Sequence, residues 1–140
     1  MNNKRMIWIV SLLILLLGWS GYSYTRPAIL VAESSTGSWE ASCTPVSFPN
    51  PKSLWEGKVQ WKGHKKIEVN LVEFKENQTV RTSIDFPSTV HPGDTLEFAS
   101  LGMEPSNKTH TLFIQWNDGE NSQEDLLSFE KKKRWFVFPL

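Results

Sequence analysis

The sequence predicts a mainly β protein: an antiparallel β-sandwich of immunoglobulin-like size, preceded by one N-terminal transmembrane helix. Three observations carry that expectation. Residues 6–24, MIWIVSLLILLLGWSGYSY, contain no charged side chain and few polar ones. From Trp39 onward, apolar residues recur with period two in short runs, the mark of half-buried strands. Clusters of Pro, Gly, Asn and Asp separate those runs, giving about seven short strands with turn signals between them.

The N-terminal stretch settles the compartment. Residues 6–19 alone are short for a spanning helix and suit the core of a signal peptide. Extended to Tyr24 the run reaches about 28 Å at the helical rise, close to the ~30 Å of a bilayer's hydrocarbon core. Trp19, Tyr22 and Tyr24 suit the membrane–water interface. Lys4 and Arg5 precede the run and Arg26 alone follows it closely, so the positive-inside rule places the N-terminus in the cytoplasm. Two fates stay open: an uncleaved anchor, or a cleaved signal that releases the domain. Small residues stand at Gly18-Trp19-Ser20 and Gly21-Tyr22-Ser23, but no Ala-x-Ala site exists, which favours the anchor. Cys43 lies far beyond the apolar run and is not a lipoprotein cysteine. Either fate puts the remaining chain outside the cytoplasm.

Residues 1–25 are thus the anchor, 26–38 a linker with a candidate edge strand, and 39–140 the extracytoplasmic domain. Roughly 110 residues outside the anchor make one domain with one core. Without Lys4, Arg5 and Arg26, twelve basic residues face fifteen acidic ones, which argues against nucleic acid as a partner. A single cysteine allows no internal disulfide, and Cys43 reads as a small buried apolar side chain.

Along the chain, Thr25-Arg26-Pro27 ends the helix, since a residue before proline is pushed out of the helical region. Ala28-Ile29-Leu30-Val31-Ala32 is the candidate edge strand, and ESSTGS at 33–38 reads as a flexible linker. Trp39, Ala41 and Cys43 then face one way. Pro45, Pro49 and Pro51 mark an irregular crossing. Trp55, Gly57, Val59 and Trp61 form the next row, and KGHKK at 62–66 turns the chain. Ile67, Val69 and Leu71 follow, until the phase slips to Val72 and Phe74, as a bulge would cause. Glu76-Asn77-Gln78 is a turn. Val80, Thr82, Ile84 and Phe86 form a further inward row. Pro92-Gly93 fits the centre of a type II turn, and Leu96 and Phe98 come after it. Leu112, Ile114 and Trp116 end at the turn Asn117-Asp118-Gly119. Leu127 and Phe129 lie on the returning strand. Residues 135–140, WFVFPL, are expected to supply a last strand, with Trp135 and Val137 on one face and Phe136 and Phe138 on the other.

At Ser38-Trp39-Glu40, Trp55-Glu56-Gly57 and Trp116-Asn117-Asp118-Gly119 the chain resembles small membrane-anchored or secreted proteins of Gram-positive bacteria related to Bacillus. Those combine one N-terminal apolar segment with one compact β domain. The resemblance covers the layout of the whole length. The group has no established activity, so the resemblance implies a compartment and an architecture and carries over no functional residue.

Motifs for chemistry are sparse. His64, His91 and His110 have no metal-ligand spacing, so they read as solvated side chains, and no metal or cofactor is expected. Asn117-Asp118-Gly119-Glu120 places its glycine too early for a calcium loop. No GxSxG, phosphate-binding loop or dinucleotide fingerprint occurs, and no pair of carboxylates can be singled out as a glycosidase would need. No catalytic residue is therefore assigned. Asn77-Gln78-Thr79 and Asn107-Lys108-Thr109 match the glycosylation sequon, which a bacterial chain leaves unused. Trp39, Trp55, Trp61 and Trp116 fall on inward phases and read as core; Trp135 does not declare itself.

Two basic clusters are the candidate contact residues: Lys62, Lys65 and Lys66 in one, Lys131, Lys132, Lys133 and Arg134 in the other. Each reads either as a solvated, aggregation-blocking charge cluster or as a patch for anionic lipid headgroups or an anionic envelope polymer. The expected function is a binding or interaction module outside the cytoplasm, held by a single span and meeting a protein partner or such a polymer. The alternatives are a hydrolase of an envelope polymer with unidentified carboxylates, and a passive envelope protein touching the bilayer through its basic clusters.

Overall fold

A computed structural model describes residues 3–46, 52–85, 87–103, 107–119 and 121–134. Two compact units emerge, one containing the N-terminal helix and the other running from Ile29 to Lys132. Helix α1 spans Asn3–Thr25 and is long and apolar enough to cross a membrane. Nothing in its interior breaks it, since Pro27 comes only after its end. Trp8, Leu15 and Leu17 are among its many exposed apolar side chains.

The second unit is a sandwich of two antiparallel sheets. Its strands are β1 (Ile29–Glu33), β2 (Trp39–Pro45), β3 (Trp55–Trp61), β4 (Ile67–Glu76), β5 (Thr79–Ile84), β6 (Ser88–Val90), β7 (Thr95–Ser100), β8 (His110–Asp118), β9 (Asn121–Ser128) and β10 (Glu130–Lys132). One sheet has the order β10-β1-β2-β3-β7. The other runs β5-β4-β8-β9, with β6 also paired to β4. Among the described residues ten strands stand where about seven were expected from Trp39 onward: β1 is the strand foreseen at 28–32, and the short β6 and β10 carry no periodicity of their own.

The inward rows pack the sheets together. Trp39, Ala41, Cys43, Trp55, Val59 and Trp61 from the first sheet meet Val69, Val72, Phe74, Leu112, Ile114, Trp116 and Leu127 from the second, all buried. The expected phase slip in β4 is real: its register against β8 shifts between Val69 and Leu71. Inward positions therefore move from Ile67 and Val69 to Val72, Phe74 and Glu76, and Leu71 is left half-buried. Pro92 and Gly93 form the expected turn, with Gly93 at φ 87° and Asp94 N–H donating to His91 O at 3.0 Å. The returning strand expected at Leu127 is β9, Asn121–Ser128.

Several expectations change. Ile29–Glu33 is not an edge strand, because β10 pairs with its free side from Ile29 to Val31. The ESSTGS stretch is a closed hairpin loop rather than a linker. Ser34 N–H donates to Trp39 O, and the buried Ser34 hydroxyl accepts from Trp39 N–H at 3.0 Å. Short hydroxyl side chains bond to nearby backbone in this way, so the composition of a linker here serves a turn. In β5 the inward row fails at Val80, which is 44% exposed. A register shift against β4, which passes from Phe74↔Thr82 to Lys75↔Val80, leaves Arg81 as the extra residue and throws Val80 out of phase. Phe86, Pro49, Pro51 and the strand expected at 135–140, with Trp135, lie outside the described residues.

Gly57 explains a gap in the inward row of β3. It pairs directly with Phe98 of β7, and a Cβ on Gly57 would come within 2.0 Å of the Phe98 ring. The aromatic covers the bare glycine and packs onward against Phe74 in a tilted arrangement, with centroids 5.2 Å apart. Replacing Gly57 by alanine should force that ring out of place and cost about 1–3 kcal/mol. A thermal melt of the chain lacking residues 1–25 checks this, and an unchanged melting temperature would mean that the ring has room to move.

Candidate functional site

The most chemically unusual place in the sandwich is a buried ionic cluster at the end of β4. The bulge in β4 turns Glu76 inward, and the side chain is only 5% exposed. Two cations reach it. Arg81, the extra residue of β5, donates to Glu76 Oε1 through Nε at 3.1 Å and Nη2 at 2.6 Å. Lys108 Nζ donates to the same oxygen at 3.0 Å. Glu76 Oε2 lies 3.5 Å from Nε2 of His110, the first residue of β8, which pairs with Glu76 across the ladder. The imidazole is buried and stacks on Phe74, with ring centroids 5.8 Å apart.

Local chain chemistry holds the cluster in place. Asn77 and Gln78, at φ 48° and 68°, form the tight turn from β4 to β5 that swings Arg81 back onto Glu76. The Asn77 carboxamide oxygen accepts from Thr109 N–H at 3.0 Å, and Asn77 N–H donates to Thr109 O. That clasp fixes the segment carrying Lys108.

Burial alone would raise the pKa of Glu76; the hydrogen bonds and charges of Lys108 and Arg81 outweigh it and hold the carboxyl below its usual range. For His110 burial is the larger effect and lowers the pKa, overriding the upward pull of Glu76 and assisted by the positive charges of Lys108 and Lys131. At neutral pH the cluster is therefore a carboxylate shared by two cations, beside a neutral imidazole. Glu76 is held as an anion, the wrong state for a general acid.

The two basic clusters of the sequence do not meet. Lys62, Lys65 and Lys66 lie on the connection from β3 to β4, at the end of the sandwich where Trp61 pairs with Trp39. Lys62 binds Glu40 at 2.8 Å. Lys65 lends its carbonyl to the Trp61 indole N–H at 2.8 Å, and a Cβ on Gly63 would strike the Trp61 ring, so this loop is shaped around the tryptophan. Lys131 and Lys132 pair with Leu30 and Ile29, at the opposite end, and Lys131 is close enough to act on His110. Lys133 and Arg134 belong to the unit of α1, where the Lys133 ammonium stands 3.5 Å from the Tyr24 ring centroid.

Among the described residues no group of His, Cys, Asp and Glu could hold a metal ion. Cys43 is fully buried, and burial pushes its thiol up to about 12, so it is not a nucleophile at neutral pH. His64 and His91 are exposed as expected; His110 is the correction. A signal for it was present. The inward row Leu112, Ile114, Trp116 extends back to His110, and Val72, Phe74 extends on to Glu76. The turn residues Asn77-Gln78 drew Glu76 into the loop reading instead. No family model matches the chain, and no curated protein sequence matches it, so the site stands on this geometry.

Acidification should weaken the domain in two stages. The unfolded imidazole takes its proton at 6.5, while buried His110 resists it, so stability falls as pH drops below that value. Glu76, depressed in the fold, contributes above the usual carboxylate range and loses that contribution as pH falls through its folded value. Melts between about pH 7 and pH 5 should show the first decline, and His110→Gln should flatten it. Glu76→Gln should cost about 1–3 kcal/mol, less than a fully buried pair because its cations remain partly solvated. An unaltered pH slope in His110→Gln would show that the imidazole is not the responsible group.

Proposed function

We propose that this chain is a single-span membrane protein of the bacterial envelope. Helix α1 keeps the N-terminus in the cytoplasm and holds the β-sandwich on the outer side as a binding or interaction module. The observation that carries this reading is α1 itself. Its span, residues 4–25, is long and apolar enough to cross a bilayer, and its leucines and isoleucines are exposed along its length. Such a surface needs lipid or protein to cover it. Lys4 and Arg5 at its start set the direction.

The sandwich, of immunoglobulin-like size, offers loops and strand edges rather than a chemical centre. Among the described residues, a depression of about 430 Å³ beside Val31, Glu33, Glu40 and Glu130 lies open to solvent. Glu76, the buried carboxylate among the described residues, is held below its usual range and is committed to Arg81 and Lys108. Those features favour recognition over the hydrolase alternative.

A reporter that is active only outside the cytoplasm, fused after Leu140, should be active, and the chain should stay in the membrane at full length. Activity of a cytoplasmic reporter at the same position would overturn the topology. A shortened, released chain would replace the anchor with a cleaved signal.

A further inference from the structure

The sandwich is electrically polarised along its strands. One end is defined by the pairs Ile29↔Lys132, Trp55↔Ser100 and Glu76↔His110. Among the described residues, Lys52, Arg81, Lys108, Lys131 and Lys132 gather there, against the carboxylates of Glu56, Glu76 and Glu130. Glu76 is buried and shared by two of the cations, Arg81 and Lys108, so those three groups together leave one positive charge. The opposite end, at the Trp39↔Trp61 pair, has the reverse balance. Among the described residues there, Lys62, Lys65 and Lys66 are outnumbered by Glu33, Glu40, Glu68, Asp94 and Asp118.

Two further features mark the basic end. The loop after β7 presents Leu101 with 59% of its surface exposed. It sits beside Lys52, whose carbonyl accepts from Gly102 N–H. The chain also enters and leaves the sandwich here, because Ile29 and Lys132 are its first and last residues and are paired. Only Arg26, Pro27 and Ala28 separate Ile29 from the end of α1. Three extended residues reach about 10 Å, comparable with the ~8–10 Å screening length at physiological salt.

We propose that the basic end of the sandwich docks on anionic lipid headgroups, with Lys52, Arg81, Lys108, Lys131 and Lys132 at the phosphates and Leu101 at the interface. The occupant is a bilayer surface because the positive charge and the exposed leucine lie together where the tether emerges. A soluble polymer has no need of that placement. Basic side chains next to an apolar contact are the usual composition of a surface that rests on anionic lipid. The acidic end then points away from the negative surface, which repels it. The proposal rests on α1 being a membrane anchor.

The test uses the full chain reconstituted into phosphatidylcholine vesicles with or without phosphatidylglycerol. One fluorophore is attached at Asn107→Cys, on the basic end, or at Ser35→Cys, on the opposite end; buried Cys43 does not compete for the label. Quenching by lipids with a nitroxide headgroup is read. With phosphatidylglycerol, the probe at residue 107 should be quenched severalfold more than the probe at residue 35. The excess should shrink in high salt and in Lys52→Glu/Lys132→Glu, whose exposed side chains lie outside the Glu76 cluster. Equal quenching at the two positions overturns the docking, as does an excess that is the same without phosphatidylglycerol. Loss of the excess on adding soluble polyglycerol phosphate makes a polyanion the occupant and overturns the lipid assignment. Failure of the chain to float with vesicles in high salt is a separate result, which removes the anchor and the docking together.

Discussion

Trp116 packs against both Trp39 and Trp61, and this contact ties the two sheets together. The centroids of Trp39 and Trp116 are 5.6 Å apart in an edge-on arrangement, and those of Trp61 and Trp116 are 6.0 Å apart. The domain has no disulfide, so its cohesion must come from buried apolar area and from such pairs. At the other end Phe74 does the same work against Phe98 and Phe129. Between them run small or branched side chains, Ala41, Val59, Val72 and Ile114. The aromatics therefore seal the two ends and the aliphatics fill the middle.

The bulge in β4 makes those two ends chemically different. Without it the inward face would continue from Val69 through Leu71 to Glu73 and Lys75, placing a cation and an anion inside. With it Val72 and Phe74 enter the core, and only Glu76 follows them. A buried carboxylate is tolerated when it is paired and hydrogen-bonded, and Arg81 and Lys108 meet that condition at Oε1, while Oε2 faces the His110 ring at 3.5 Å. His110 completes the seal as a neutral ring stacked on Phe74. One extra backbone residue thus places a carboxylate and its cations at the end where the chain enters, with nothing equivalent among the described residues at the other.

Much of this was legible from the sequence. The rows at Trp39, Trp55, Trp61 and Trp116 gave correct faces because period-two burial leaves a direct trace. The β4 slip was visible as a change of phase between Leu71 and Val72. Short partners were not visible: β10 is recognised only by its pairing with β1, and three charged residues have no pattern to read. The Ser34 hairpin was hidden because serine-rich loops and serine-rich turns share a composition. The ionic cluster draws on β4, β5, β8 and the segment before β8, so only folding assembles it. Its two buried members do lie on extended inward rows, and a reading that followed those rows through the turn residues would have found them.

The proposed role of the domain requires a sandwich whose basic end and acidic end are held in fixed positions. That depends in turn on the sheets being locked face to face by their aromatic contacts. A double-mutant cycle across the sheets tests this most directly, using Trp39→Leu, Trp116→Leu and the pair, with stability read from denaturant melts of the chain lacking residues 1–25. Contact between the indoles predicts that the two losses fail to add, with a coupling of about 1 kcal/mol or more. Losses that add to within about 0.3 kcal/mol would contradict the inter-sheet contact, and with it the fixed polarity of the domain.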